Sequence, residues 1–296
     1  MGVADRAGVL AFLKQNEAAE SPSLAEQRAR METLADFFPV PEGTEIEPAT
    51  VGGIAGEWAR GRRARRDAAV LYLHGGGYVV GSPKSHRHLT ASLSEASGLS
   101  LFVPDYRLAP EHPFPAALED AVAAYQGLLE SGLSPARLAI AGDSAGGGLT
   151  IATLVALRER KIPLPACAVG ISPWTDLSQG GEAYRTRLAR DPMISKDGLD
   201  AMAAAYLAGA DARTPLASPL FADLAGLPPL LLQVGTEEAL YDDTVGLKQR
   251  AEAAGVEVSA ESWGGMMHVW HIFHPILSEG RDAIARIGSY LKSRVE

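Results

Sequence analysis

The sequence predicts an α/β fold: a mostly parallel sheet covered by helices on both faces. Three observations carry the prediction. From about residue 68 onward, strand-like runs alternate with helical stretches. The runs are nearly continuous in apolar residues, as in strands buried on both faces, rather than alternating apolar and polar. The 296 residues, 47% of them hydrophobic, are enough for a sizeable core within one large domain spanning 1–296.

Residues 5–38 read as one or two helices, with Leu10, Leu13, Leu24, Met31, Leu34, Phe37 and Phe38 at partial helical periodicity. The stretch ESPSLAEQ supplies a break and a new helix start. TEIEPATV and IAGEWAR read as two strands around the Gly52-Gly53 turn. Six further strands follow, in AAVLYLH, LSLFVPD, RLAIAGD, CAVGIS, LLLQVG and VEVSAES, making eight in all. Helices are expected near 90, 123, 151 and 247 and over about 276–294. Residues 180–220 interrupt the alternation with a helical piece, SKDGLDAMAAAYLAG, and no strand. Together with about 1–43, they are expected to cap the sheet's C-terminal edge. The arginine-rich GRRARRD at 61–67 reads as a solvated turn.

Composition narrows the partners. A net charge of −9 argues against nucleic acid or an anionic membrane surface. The single cysteine, Cys167, excludes an intramolecular disulfide and reads as a small buried hydrophobe. The N-terminus lacks a basic segment followed by an apolar one, and no run approaches the roughly 18 apolar residues of a membrane span. A soluble, cytoplasmic protein is expected.

Two glycine-rich motifs carry chemistry. Gly142-Asp143-Ser144-Ala145-Gly146 is a G-x-S-x-G between a strand signal and a helix signal. That spacing puts Ser144 on a strained turn, exposes its hydroxyl and aims the next N–H at an oxyanion. His74-Gly75-Gly76-Gly77 directly follows a strand. Three successive glycines are costly in chain entropy and make sense where backbone N–H groups must approach a ligand closely. Gly76 and Gly77, with Ala145, are the expected oxyanion donors. No Lys-Ser or Lys-Thr pair follows, which excludes a P-loop.

HGGG at 74–77, DYRLAPEHPFPAALED at 105–120 and GDSAGG at 142–147, in this order, resemble the hormone-sensitive lipase-like family of α/β-hydrolases, the bacterial family IV esterases. The resemblance runs from about 40 to 290. It implies the α/β-hydrolase fold, a helical cap from two chain segments and carboxylic ester hydrolysis without a cofactor. It also implies structural roles for Asp105, Arg107 and Glu111.

In such hydrolases the triad follows the order Ser, acid, His. SAESWGGMMHVWHIFHPI offers His268, His271 and His274 after the last strand. No Asp, Glu or Cys joins them at ligand spacing, so no metal is expected. The family pattern, with the catalytic histidine ahead of an aromatic residue, selects His268. The acid is sought in GTEEALYDD at 235–243, which holds four carboxylates. In the family register from Gly235, the acid position holds Glu238 where aspartate is usual, and Ala239 replaces the usual proline. Asp242 is the alternative acid, and the remaining carboxylates read as surface or helix-dipole charges.

The expected enzyme is therefore a carboxylesterase for short acyl esters, with an acyl-enzyme mechanism. Phe37, Phe38, Tyr78, Met202 and Tyr206 are candidates for the acyl pocket. A lactone or amide hydrolase with the same site is one alternative reading. A non-hydrolytic binding protein or dehydratase on this fold is another. The resemblance also implies a possible homodimer through the open edge of the last strand.

Overall fold

In a computed structural model of the chain, residues 6–15 and 22–296 are described. The expected break at Glu20-Ser21 lies outside them, as do residues 1–5. Two helices come first, α1 (Arg6–Gln15) and α2 (Leu24–Phe37). The second starts on a reciprocal cap in which Ser23 and Glu26 each bond the other's backbone N–H.

β1 (Glu45–Val51) and β2 (Ile54–Arg60) form an antiparallel pair turning through Gly52 and Gly53, both at positive φ. The alternating units follow as β3 (Arg65–Leu73), α3 (Arg87–Ser97), β4 (Leu99–Pro104), α4 (Ala116–Glu130), β5 (Leu138–Asp143), α5 (Ala145–Glu159) and β6 (Cys167–Ile171). After β6 the chain leaves the sheet for residues 172–229. That stretch carries α6 (Ala183–Thr186) and α7 (Lys196–Leu207) and no strand. It returns as β7 (Leu230–Gly235), α8 (Tyr241–Ala253), β8 (Val258–Trp263) and α9 (Ser278–Arg294).

The eight strands lie in the order β1-β2-β4-β3-β5-β6-β7-β8. All pairs from β4 to β8 are parallel, and β2 meets β4 antiparallel. Strand alternation splits the core in two. Leu71, Leu73, Ile140, Leu230 and Leu232 pack with residues of α4, α5 and α8 on one face. Val70, Tyr72, Ala139, Val169 and Leu231 pack with α3 and α9 on the other. Both faces are therefore buried, which is why these strands read as continuous apolar runs.

This topology sets the site. The loops after β3, β5, β7 and β8 all leave the same, C-terminal edge of parallel neighbours. The strand order reverses beside β3, where ligands bind in open α/β sheets. At the far end, three of the four arginines of the 61–67 turn are paired with carboxylates. Arg65 pairs with Asp67, Arg66 with Glu45, and Arg62 with Glu42. No helix of the described residues is long and apolar enough to cross a membrane.

Candidate active site

Every residue from Leu138 to Leu157 is buried except Ser144. Ser144 sits between β5 and α5 at φ 52°, ψ −120°, a backbone region that non-glycine residues rarely occupy. The surroundings impose the turn. A Cβ on Gly146 would lie 1.9 Å from the Leu73 carbonyl oxygen, and one on Gly142 would lie 2.3 Å from that of Gly146. Only glycine fits on either side, so the serine is pushed outward. Its N–H donates to the Ile171 carbonyl at 2.9 Å, and its carbonyl accepts from Trp174 N at 2.8 Å.

The triple-glycine loop lies beside this turn. Gly76 and Gly77 have φ of 115° and 61°, and Tyr78 follows at 64°. The Gly76 carbonyl accepts from the N–H groups of Val79 and Val80, which closes the loop on itself. Among the described residues the N–H groups of Gly76, Gly77 and Ala145 have no acceptor. Ala145 N–H is in addition the first of α5, where the helix dipole favours negative charge.

His74 stands under this loop, not in it. Its Nδ1–H donates to the Gly75 carbonyl at 2.8 Å and its ring stacks on Tyr106 at 4.2 Å. Burial pushes its pKa down to about 3. Tyr106 donates to the His74 carbonyl at 2.7 Å, Arg107 chelates Asp120, and Glu111 pairs with Arg28 of α2. Arg28 also donates to the carbonyls of Val79 and Ala109, which ties α2 to the end of the glycine loop. Asp105 is exposed and takes no part in this network.

Of the four carboxylates in residues 235–243, one turns inward. Glu238 is 0% exposed. Its Oε2 accepts from His268 Nδ1–H at 3.0 Å, and its Oε1 accepts from Ser172 Oγ and Gly235 N, both at 2.7 Å. Burial alone would lower the His268 pKa, but the hydrogen bond and charge of Glu238 outweigh it and the net direction is upward. The two loops are laced together by Glu237 N to the Met266 carbonyl and by Gly265 N to Thr236 Oγ1.

Ser172 is a site residue that sequence reading missed. Besides bonding Glu238 it accepts from Val269 N at 3.2 Å, so one hydroxyl holds both the Glu238 carboxylate and the residue after His268. The only sequence signal is a small polar residue directly after a buried strand.

Asp242 and Asp243 lie in the first turn of α8, as the dipole reading expects, but none of the other three carboxylates is a free surface charge. Asp243 is buried and accepts from Thr175 N, Asp176 N and the Tyr184 hydroxyl. Asp242 accepts from Ala183 N at 2.8 Å and points away from His268. Glu237 pairs with Arg190 at 3.8 Å. All these partners belong to the 172–229 insertion, whose course no local pattern reveals.

His271 and His274 are both buried in structural roles. His271 donates to Gln233 at 2.7 Å, and His274 accepts from Ser92 at 2.8 Å and donates to the His271 carbonyl. No group of three or more metal-type ligands occurs among the described residues. Cys167 is buried, with its thiol pushed up to about 12.

Of the pocket candidates, Tyr78, Met202 and Tyr206 come together. The rings of Tyr78 and Tyr206 stack at 3.7 Å, and Met202 Sδ lies 2.1 Å from where a Cβ on Gly77 would be. Phe37 and Phe38 do not join them. Phe37 is 41% exposed with its ring against Phe12, and Phe38 packs against His88 and Phe273 in the core on the α3 and α9 side. The extended backbone at Phe38, just past the end of α2, turns its ring that way.

Residues 70–272 match a family model described as the alpha/beta hydrolase fold. An acetyl-hydrolase of Streptomyces hygroscopicus is 53% identical over 255 residues, covering 86% of this chain and 84% of that one. The crystal structure of an esterase from the bacterial hormone-sensitive lipase family superposes with a TM-score of 0.96 at 46% identity, over 98% of both chains. That of EstE5, soaked with p-nitrophenyl butyrate, superposes with a TM-score of 0.94 at 46% identity, over 97% of both.

Proposed function

The chain belongs to the hormone-sensitive lipase-like family of α/β-hydrolases and is a carboxylesterase, and from that premise we propose that it cleaves short-acyl esters through Ser144, His268 and Glu238. The observation that carries this reading is the buried 3.0 Å bond between His268 and Glu238, downstream of the one residue of the elbow that is not fully buried.

The reaction runs in two steps. His268 takes the Ser144 proton, and Oγ attacks the ester carbonyl. Gly76, Gly77 and Ala145 donate three N–H groups to the resulting oxyanion, each worth about 3 kcal/mol in the transition state. The tetrahedral intermediate expels the alcohol, which leaves with the proton held on His268. Water, deprotonated by His268, then attacks the acyl-enzyme and releases the acid and Ser144. Glu238 holds the imidazole in the tautomer with the proton on Nδ1 and favours the imidazolium that forms. The chemistry uses no cofactor.

Residues up to about 43 and 180–220 form the cap in this reading, and Tyr78, Met202 and Tyr206 bound a small acyl pocket. The tight Tyr78–Tyr206 stack and the thioether over Gly77 support a short acyl chain.

The test is hydrolysis of p-nitrophenyl esters of graded chain length, with lactones and amides in parallel. Ser144→Ala should lose kcat by on the order of 10⁶ and Glu238→Gln by roughly 10³ to 10⁴. Asp242→Asn should stay within about threefold of wild type, since its partner is Ala183 N and not the imidazole. Substantial turnover by Ser144→Ala sinks the mechanism, and a crippled Asp242→Asn beside a normal Glu238→Gln reassigns the acid.

A further inference from the structure

The loop that carries Glu238 is gripped on its outer side by the 172–229 insertion, position after position. Arg187 donates to the Thr236 carbonyl and lies 3.8 Å over the Tyr241 ring. Arg190 faces Glu237, Ala183 N meets Asp242, and Thr175, Asp176 and Tyr184 meet Asp243. Asp191 reaches the residue next to Glu238. It is 5% exposed, its Oδ1 accepts from Met193 N, and its Oδ2 accepts from Ala239 N, both at 3.1 Å. Ala239 is the residue directly after Glu238.

We propose that Asp191 is a positioning residue through which the insertion sets the geometry of the Glu238–His268 pair. This rests on the reading of Glu238 and His268 as the acid and base above.

Three features support it. A carboxylate this deeply buried is retained only where it is paired or hydrogen-bonded. Its two donors are backbone N–H groups, and one of them belongs to the acid loop. Its negative charge also bears on the base and favours the protonated form of His268.

A further feature is particular to this chain. A proline at position 239, usual in the family register, has no N–H to give. Alanine does, and so creates the donor that Asp191 uses. The charges bearing on the imidazole come from three elements: Glu238 on the acid loop, Asp191 on the insertion and Asp143 on β5. His271, on its own segment, is the opposing titratable neighbour. Asp191 favours the imidazolium alongside Glu238, so removing its charge shifts the titration of His268 downward.

Two variants separate the hydrogen bond from the charge. Asp191→Asn keeps an acceptor for Ala239 N–H and deletes the charge. Ala239→Pro deletes the donor and keeps the charge. Both should lower kcat several-fold or more with little change in KM, since they disturb positioning and not binding. Asp191→Asn alone should move the acid limb of the kcat/KM profile to lower pH.

A wild-type kcat and acid limb in Asp191→Asn overturns the proposal. So does a uniform loss at every pH with the limb unmoved, which marks a merely structural residue. If Asp191→Asn fails to fold, Ala239→Pro decides, and an unchanged kcat there overturns it. A serine-directed fluorophosphonate keeps the two readings apart. If wild-type protein is not labelled at Ser144, the triad reading fails. If it is labelled and the Asp191 variants behave as wild type, only this inference fails.

Discussion

Asp143 and Gly75 are joined by a hydrogen bond of 3.1 Å from the Gly75 N–H to Oδ1. The residue before the half-buried serine thus holds the first glycine of the loop that faces it. The same carboxylate accepts from Tyr72 at 2.8 Å and lies 3.5 Å from His86. Contact is so close that a Cβ on Gly75 would fall 2.2 Å from Asp143 Oδ2.

Asp143→Ala is therefore expected to loosen the glycine loop while leaving Ser144 in place. The unpaired Tyr72 hydroxyl and Gly75 N–H should cost about 1–3 kcal/mol each. A donor loop out of register should cost roughly tenfold to a hundredfold in kcat, with KM little changed. Urea denaturation and steady-state kinetics measure the two effects separately. A wild-type kcat would mean that the loop holds its shape unaided.

Met202 reaches over Gly77 from α7, and in the acyl pocket proposed above its thioether would fill the space that a longer acyl chain needs. Met202→Ala should raise the octanoyl-to-acetyl ratio of kcat/KM by roughly tenfold, on the scale of a methylene or two in an apolar pocket. An unchanged ratio would put the acyl path elsewhere.

The raised pKa of His268 predicts the pH dependence of kcat/KM. In the proposed mechanism imidazolium cannot accept the Ser144 proton, so activity should fall as pH drops through a midpoint above the usual histidine value. The same pairing contributes to stability fully below about pH 6.5, and that contribution is lost as pH rises through the raised value. Ser172→Ala removes a hydroxyl that holds both Glu238 and Val269. It should cut kcat about tenfold or more through misplacement of the ring. An acid limb at or below the ordinary histidine range would contradict the pairing.

Four buried histidines act on stability in the opposite sense. Burial pushes His74, His88 and His271 down to about 3 and His274 to about 4. Between those values and about pH 6.5 the unfolded chain binds four protons that the native state refuses. Burial raises Asp243 to about 8, so the native state binds one proton that the unfolded chain releases above about pH 4. Glu238, Asp191 and Asp105, also raised by burial, act in the same sense as Asp243 and oppose the loss of stability that the histidines impose on acidification. The urea midpoint should fall between pH 6.5 and 5, and a midpoint that rises on acidification would contradict the depressed histidines.

The sheet was legible because buried parallel strands write themselves as apolar runs, and β7 falls on LLLQVG to the residue. The elbow and the glycine loop were legible because their chemistry needs glycine at fixed spacing from one serine or from one strand end. What escaped was everything set by the path of the insertion. Asp191 meets Ala239 across 48 residues, and Thr175 meets Asp243 across 68. No local spacing carries such pairs, and three carboxylates that serve as anchors looked like solvated charge. Phe38 was misplaced for the same reason, since the end of α2 and not its periodicity decides which core the ring enters.

Cys167 has a practical consequence. It is the chain's one sulfhydryl, buried at the start of β6 with its ionisation suppressed. The native protein is therefore silent toward maleimides and similar reagents. A cysteine introduced on the outer face of α7 would be the sole group to take up a dye or a spin label. Movement of that helix over the glycine loop during turnover can then be followed by spectroscopy against no background.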